Sequence, residues 1–176
     1  MRTLLPKAAL LLVALGAAFS LPAASPVPRP AGALTFTEPS GKTTTLASLK
    51  GKVVVVQLLL TTCPHCQAFS KVLTKVTTEY GPKVQAFGAA FDQDDAKNVA
   101  NYIQTIGTNF PVGSVGQQVV PGFLGISVMD YARMRVPQVI VIDKKGVIRG
   151  QSDLNGNGPV STESGLRTLL ATLVKE

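Results

Sequence analysis

The only two cysteines of this 176-residue chain, Cys63 and Cys66, lie three positions apart. They follow an apolar run at residues 53–60 that predicts a buried strand, and residues 64–80 predict a helix. This order places Cys63 near the N-cap of the helix and Pro64 at its first position, where the missing N–H costs nothing. Residues three apart on a helix share a face, so the two sulfurs can close a small disulfide ring.

The expected chemistry of this pair is thiol–disulfide exchange. The partial positive charge at a helix N-terminus favours a thiolate on Cys63, and Cys66 supplies the second, resolving thiol that exchange requires. A purely structural bridge would more often join distant segments, because a longer loop constrains the unfolded chain more. The short spacing therefore favours a catalytic pair, with Cys63 and Cys66 as the catalytic residues.

The N-terminal part of the chain resembles an export signal. Arg2 and Lys7 precede an apolar stretch at residues 8–21, which is short for a membrane span and is followed by small residues. We predict a signal peptide, or an uncleaved anchor, at residues 1–24 and an extended Pro-rich linker at residues 25–33. Export would place the cysteines in an oxidising, periplasmic or extracytoplasmic compartment, with the protein soluble or anchored at its N-terminus.

Charge and length limit what the rest of the chain can be. The formal charge of the full sequence is +7, and it is +4 without the first thirty residues, which contain three basic residues and no acid. This surplus forms no basic block, so we expect no nucleic-acid partner, and we expect membrane contact only through an uncleaved N-terminal anchor. Residues 34–176 have the length of one domain, which we expect to be a monomer.

The element order predicts an α/β sandwich with a mixed central β-sheet flanked by helices. An acidic cluster at residues 92–95 follows the second long strand, where Asp92 or Asp94 is expected to cap a helix rather than to bind a metal. The remaining elements are predicted as two short strands within 36–46, a strand at 84–91, a helix ending at Ile106, a short helix or loop near Gln117 and another at 128–133 with breaks at Pro121-Gly122 and at Gly125, a strand at 136–143, a turn at 144–146, a strand at 147–151, and a helix from a Ser161 cap to Lys175.

Several motifs in this order resemble the thioredoxin fold, and within it the exported TlpA/ResA-like group that borders the redoxin families. They are Gly41-Lys42 with Leu46, the run from Leu49 to Val56, the CxxC turn, and the segment from Arg135 to Asp143 followed by Lys145-Gly146. The resemblance implies that Val136 and Pro137 form a cis-proline loop that faces the disulfide and offers backbone to a partner. It also implies protein thiols and disulfides as partners, a membrane redox protein among them, and no cofactor beyond the redox-active disulfide Cys63–Cys66.

Three features of the sequence depart from that family pattern. Thr62 stands where the family usually has Trp, and Gln57 stands where thioredoxin has a buried acid that can accept a proton. The dipeptide Pro64-His65 resembles the centre of the strongly oxidising DsbA motif. His65 is either an ordinary surface residue or a group that stabilises the Cys63 thiolate. The architecture therefore favours a reductant and the motif an oxidant, and both directions stay open.

Four other functions fit the sequence less well. A structural zinc site needs four ligands, and this chain offers two cysteines and its single histidine, His65, within one turn. Copper chaperones of this fold use a wider cysteine spacing and a distant histidine. Peroxiredoxin-like peroxidases have Thr or Ser where this chain has Leu60. A non-enzymatic binding domain would not need the intact CxxC pair.

Overall fold

One mixed β-sheet organises the described part of the computed structural model, residues 26–91 and 96–176. Its strands lie in the order β1-β8-β7-β4-β5-β6-β2-β3. The predicted signal peptide at 1–24 and the predicted Asp92 or Asp94 cap lie outside the described residues. The strands are β1 (Arg29–Pro30), β2 (Thr35–Thr37), β3 (Thr43–Thr45), β4 (Val53–Leu59), β5 (Val84–Ala90), β6 (Val112–Ser114), β7 (Gln138–Ile142) and β8 (Val147–Gln151).

The same described residues contain five α-helices. They are α1 (Pro64–Tyr80), α2 (Ala96–Ile106), α3 (Val120–Leu124), α4 (Val128–Tyr131) and α5 (Glu163–Leu173), joined in places by single 3₁₀ turns. No helix within the described ranges is both long enough and apolar enough to cross a membrane.

The central strand β4 is buried along its whole length. It pairs in parallel with β5 and antiparallel with β7, so the sheet is mixed, as predicted. A strand covered on both faces needs apolar residues at every position, which explains the continuous valine and leucine run. This fully buried strand ends four residues before Cys63, so its position in the sheet determines where α1 and the two cysteines begin.

Two hydrophobic cores lie on the two faces of the sheet, because successive side chains of a strand point to opposite sides. Val53, Val55 and Leu59 face a core filled by α1, α2 and α5, which includes Cys66. Val54, Val56 and Leu58 face the second core. That core is covered by side chains from β2, from the 3₁₀ turn that follows β3, and from α3, among them Phe36, Leu46, Phe123 and Leu124. The predicted sandwich is therefore confirmed.

The structure corrects two local predictions. The closing helix is capped by Thr162, whose hydroxyl accepts the Gly165 N–H at 3.1 Å, and not by Ser161, which ends a preceding 3₁₀ turn. Pro121 and Gly122 do not break the chain but lie inside α3, because a proline in the first helical turn removes no hydrogen bond. The helix ends at Gly125, the other predicted break, where φ is 65°.

The edge strand β1 lies within the segment at residues 25–33 that was predicted to be a linker. Arg29 and Pro30 pair antiparallel with β8, and proline is tolerated there because the strand is an edge strand. The Arg29 guanidinium donates to the carbonyls of Phe123 and Leu124, at 3.2 and 2.8 Å, and to Gln151 Oε1 at 2.6 Å. The domain boundary expected at residue 34 therefore does not coincide with the edge of the sheet.

We predict that a chain beginning at residue 34 is less stable than one beginning at residue 26. The shorter chain loses the β1 pairing and the Arg29 hydrogen bonds, at a cost of about 1–3 kcal/mol in the free energy of unfolding. Urea unfolding followed by circular dichroism measures the difference. Arg29→Ala in the longer chain should reproduce part of the loss. Equal midpoints for the two chains would show that β1 contributes nothing to stability.

Candidate functional site

Cys63 occupies the N-cap of α1, as the sequence predicts, with Pro64 at the first helical position. Its backbone is extended, and its Sγ accepts the N–H of Cys66 at 3.3 Å. A helix start leaves backbone N–H groups without partners inside the helix, and here a sulfur satisfies one of them. The same hydrogen bond holds the Cys63 sulfur at the N-terminus of α1, the positive end of the helix dipole.

The two sulfurs differ in their access to solvent. Cys63 is partly exposed at the surface, whereas Cys66 is completely buried in the core that α1 shares with α2 and α5. The structure holds the pair in its dithiol form. An external reactant can therefore approach Cys63 directly, and Cys66 is reached only through its neighbour.

Val136 and Pro137 lie beside the exposed sulfur, as the family resemblance implies. The peptide bond between them is cis. The Cys63 Sγ lies 3.9 Å from the Val136 carbonyl oxygen, the length of a weak hydrogen bond from a thiol. The fold thus brings together residues that are 73 positions apart in sequence.

A groove of about 770 Å³ opens next to this contact. One wall belongs to α1 and includes the exposed His65, and the cis-proline loop forms the base. The other wall is the loop that precedes α5. The lining residues are His65, Ala68, Phe69, Val72, Met134, Arg135, Val136, Pro137, Asn155, Gly156, Asn157, Gly158, Ser161 and Thr162.

Hydrogen bonds tie the base of the groove to this second wall. The Arg135 N–H donates to the Leu154 carbonyl at 2.8 Å. The side-chain amide of Gln138 donates to the carbonyls of Arg135 and Asp153, at 2.8 and 2.9 Å. The cis-proline loop and the wall therefore form one connected piece of structure.

Gly156 sets how closely that wall approaches the cis-proline loop. Its φ is +77°, a conformation that favours glycine, and a Cβ at this position would lie 2.9 Å from the Pro137 carbonyl oxygen. Any other residue would push the wall away from Pro137. The groove beside Cys63 therefore depends on a glycine at this position.

A buried polar network lies behind Cys66. Gln57 Nε2 donates to the Cys66 carbonyl at 2.8 Å, and the Ser70 hydroxyl donates to Gln57 Oε1 at 2.7 Å. The Tyr102 hydroxyl lies 2.8 Å from Ser70 Oγ and 3.3 Å from the Cys66 carbonyl. All three side chains are buried, so their hydrogen bonds are not exchanged with water.

This network is uncharged. The pKa of Tyr102 is raised to about 12, mainly by burial. The hydrogen bond with Ser70 lowers it by a smaller amount, and Coulombic interactions with Cys66 and Cys63 add to the rise. Gln57 ends in an amide, which accepts no proton in this range. The network therefore orients the Cys66 carbonyl but offers the Cys66 thiol no base.

Sequence reasoning identified Gln57 but missed Ser70 and Tyr102. Ser70 lies one helical turn after Cys66 on the face of α1 that also carries Phe69 and Leu73. A polar residue on an otherwise apolar face was the available signal. Tyr102, on α2, carried no such signal, because a tyrosine on a buried face is ordinary core packing.

In the described part of the chain, no group of three or more His, Cys, Asp or Glu side chains is placed to hold a metal ion. What the geometry offers is one accessible sulfur capped by an N–H, one buried sulfur a helical turn away, and a groove beside a cis-proline. This arrangement on a thioredoxin-like sandwich defines the class of thiol–disulfide oxidoreductases.

The family model described as Redoxin matches residues 21–170, and the chain belongs to that family. It is a thioredoxin-fold thiol–disulfide oxidoreductase, which acts on disulfides and thiols of proteins. No curated protein matches the sequence.

Solved structures show the same fold. A putative protein disulfide isomerase from Bacteroides thetaiotaomicron has a TM-score of 0.70 at 21% identity, over 86% of this chain and 91% of that one. A thiol:disulfide interchange protein of the thioredoxin family from Chlorobium tepidum TLS has a TM-score of 0.67 at 24% identity, over 86% and 99%. A secreted Mycobacterium tuberculosis disulfide oxidoreductase, homologous to Escherichia coli DsbE, has a TM-score of 0.60 at 22% identity, over 79% and 95%.

We predict that Tyr102→Phe changes how stability depends on alkaline pH. The folded-state pKa of about 12 lies above the ordinary value near 10, so the contribution of the phenol is present below pH 10 and is lost as the pH rises toward 12. Urea midpoints of wild type and variant should differ at pH 8 by the lost hydrogen bonds and converge above about pH 10.

Ser70→Ala is the matched control for this measurement. It removes a partner from the same network but keeps the Tyr102 phenol, so Ser70→Ala should still lose stability as the pH rises above 10, as the wild type does. Curves for wild type and Tyr102→Phe that stay parallel through pH 11 would contradict the assignment of the raised pKa to Tyr102.

Proposed function

We propose that this oxidoreductase is exported and exchanges disulfides with protein partners through Cys63, with Cys66 as the resolving cysteine. The observation that carries these roles is the difference in access: Cys63 is partly exposed beside the groove, and Cys66 is completely buried. A bulky partner can form a mixed disulfide with the first sulfur only.

The exchange can run in either direction through the same intermediate. When the protein acts as reductant, the Cys63 thiolate attacks a partner disulfide and one partner sulfur leaves as thiolate. The Cys66 thiolate then attacks Cys63 Sγ, which closes the Cys63–Cys66 disulfide and releases the second partner sulfur. When the protein acts as oxidant, a partner thiolate attacks Cys63 Sγ, Cys66 leaves as thiolate, and a second partner thiolate releases Cys63.

Deprotonation of Cys66 is the step that the network does not assist. A reductant must form the Cys66 thiolate inside the core, and the neighbouring Gln57, Ser70 and Tyr102 offer no proton acceptor at neutral pH. An oxidant releases Cys66 as a thiolate and needs a proton donor only afterwards. The buried Cys66 thiolate forms in both directions, so the neutral network does not decide between them.

The dipeptide Pro64-His65 favours the oxidising direction. The hydrogen bond that the Cys63 sulfur accepts comes from the Cys66 N–H, so His65 would act on the thiolate through the charge of its imidazole. Whatever stabilises the thiolate stabilises the reduced form and makes the disulfide a better oxidant. We infer that the pair works as an oxidant.

Export is supported by the composition of the N-terminus. Residues 1–24 have the basic start, the apolar stretch and the small residues of a signal peptide, and they precede the first strand at Arg29–Pro30. The similar Mycobacterium tuberculosis oxidoreductase is described as secreted. A periplasmic or other extracytoplasmic compartment suits an oxidant, because disulfides persist there.

We predict that Cys66→Ser traps a mixed disulfide with a disulfide-containing unfolded protein and that Cys63→Ser does not, because only Cys63 is accessible. Non-reducing electrophoresis and mass spectrometry measure the trapped species. Trapping through Cys66 at a similar rate would reverse the assigned roles.

In intact cells, a membrane-impermeant thiol reagent should label Cys63 of the Cys66→Ser variant, and protection from the reagent would contradict export.

We predict that the reduction potential is less negative than the value of about −270 mV for thioredoxin, and that His65→Ala makes it more negative by about 30 mV for each 1.4 kcal/mol of lost thiolate stabilisation. Equilibration with glutathione followed by thiol counting gives the potential. Lys71→Ala removes an exposed positive charge from α1 outside the groove lining and should change it little. A wild-type value at or below that of thioredoxin, unmoved by His65→Ala, would identify a reductant.

A further inference from the structure

The groove beside Cys63 carries positive and polar groups but no acid. Among the described residues that line it, Arg135 and His65 are the basic side chains, and no Asp or Glu is present. Arg135 is exposed. A partner segment that lies in this groove therefore meets a basic environment.

The acidic residues nearest in sequence to the groove lining are engaged elsewhere. The Asp153 carboxylate accepts the N–H groups of Asn155 and Asn157, at 2.8 and 2.9 Å, and so is held within its own turn. The Glu163 carboxylate pairs with Lys75 and Arg167, both at 2.9 Å. Neither carboxylate is a groove-lining group that would neutralise Arg135.

Arg135 lies close to where a mixed disulfide would form. It directly precedes Val136, whose carbonyl oxygen is 3.9 Å from Cys63 Sγ. Residues of an extended chain are spaced about 3.3 Å apart, so the side chains within roughly two or three positions of the partner's cysteine would reach Arg135. Asn155 and Asn157 on the opposite wall are exposed and carry amide groups that can also donate to a carboxylate.

The groove is also formed before any partner binds. Its base and its second wall are joined by the Arg135–Leu154 and Gln138–Asp153 hydrogen bonds, and Gly156 lies against Pro137. A preformed site loses less conformational entropy on binding, so a single charge contact can influence partner choice.

We propose that this groove selects extended segments of partner proteins in which the reacting cysteine is flanked by acidic residues, with Arg135 as the charge-selective contact. The inference rests on the proposed function, because the partner must form a mixed disulfide with Cys63. It adds the chemical class of partner that the redox pair reaches most readily.

Reduced peptides with one cysteine, flanked at the same positions by Glu, Gln or Lys, test the selection. The oxidised protein is mixed with each peptide, and acid quenching followed by mass spectrometry gives the rate of attack on the protein disulfide. Dividing by the rate of the same peptide with 2-hydroxyethyl disulfide removes differences in thiol reactivity. The Glu peptide should exceed the Lys peptide by about three- to tenfold at low ionic strength, and the ratio should fall toward one at roughly 0.5 M salt.

Arg135→Glu and Lys145→Glu make the same change in net charge at different places. Lys145 is exposed in the turn between β7 and β8, outside the groove lining. Arg135→Glu should reverse the peptide preference, Arg135→Gln should abolish it, and Lys145→Glu should keep it. Circular dichroism confirms that each variant is folded. Comparing the Glu-to-Lys rate ratio between wild type and each variant, as in a double-mutant cycle, isolates the contribution of the contact with residue 135.

The outcomes separate this inference from the function on which it rests. Reversal confined to Arg135→Glu supports the acidic-segment proposal. An equal shift in both Glu variants, or no charge preference in the wild type, overturns it and leaves protein disulfide exchange standing. Exchange with 2-hydroxyethyl disulfide but with none of the peptides, nor with an unfolded protein, overturns the proposed function itself.

Discussion

The hydrogen bond from the Cys66 N–H to the Cys63 sulfur is the interaction on which the site depends. At the start of α1 it satisfies a backbone donor that the helix cannot satisfy internally, and it holds the sulfur at the positive end of the helix dipole. One sulfur therefore serves as a structural cap and as the reacting atom. The position of that sulfur follows from β4, whose burial on both faces fixes where the chain leaves the sheet.

Burial of β4 has a second consequence, because one of its seven residues is polar. Gln57 is completely buried, and an unpaired amide in that position would be costly. Ser70 and the Cys66 carbonyl satisfy it, and Tyr102 connects the same group to α2. The requirement to satisfy one buried amide thus links three elements of the fold behind the resolving cysteine. The result is a rigid, neutral environment rather than a proton relay.

The sequence predicted those features whose causes are local. The apolar run of β4 and the proline after Cys63 specify a strand and a helix start, and the structure has both, with the two cysteines at that helix start. The family resemblance added Pro137, which local patterns alone could not connect to residues so far away in the chain.

Features that depend on tertiary packing were not predicted. Tyr102 meets Ser70 across 32 positions, and this contact exists only because α1 and α2 cover the same face of the sheet. Ser161 and Thr162 are adjacent hydroxyl residues with similar capping preference, and the 3₁₀ turn at Pro159–Ser161 decides between them. The Arg29 side chain donates to backbone carbonyls of α3, and no side-chain pattern in the sequence reveals such acceptors.

The Gly156 contact also bears on how this protein can diverge during evolution. The backbone of the wall is fixed by Gly156 against Pro137 and by the Asp153 carboxylate, while the side chains of Asn155 and Asn157 on either side are exposed. Substitutions at these two positions would alter the surface presented to a partner without moving the cysteines. Partner range and redox chemistry can therefore be altered separately in this fold, as long as Gly156 is kept.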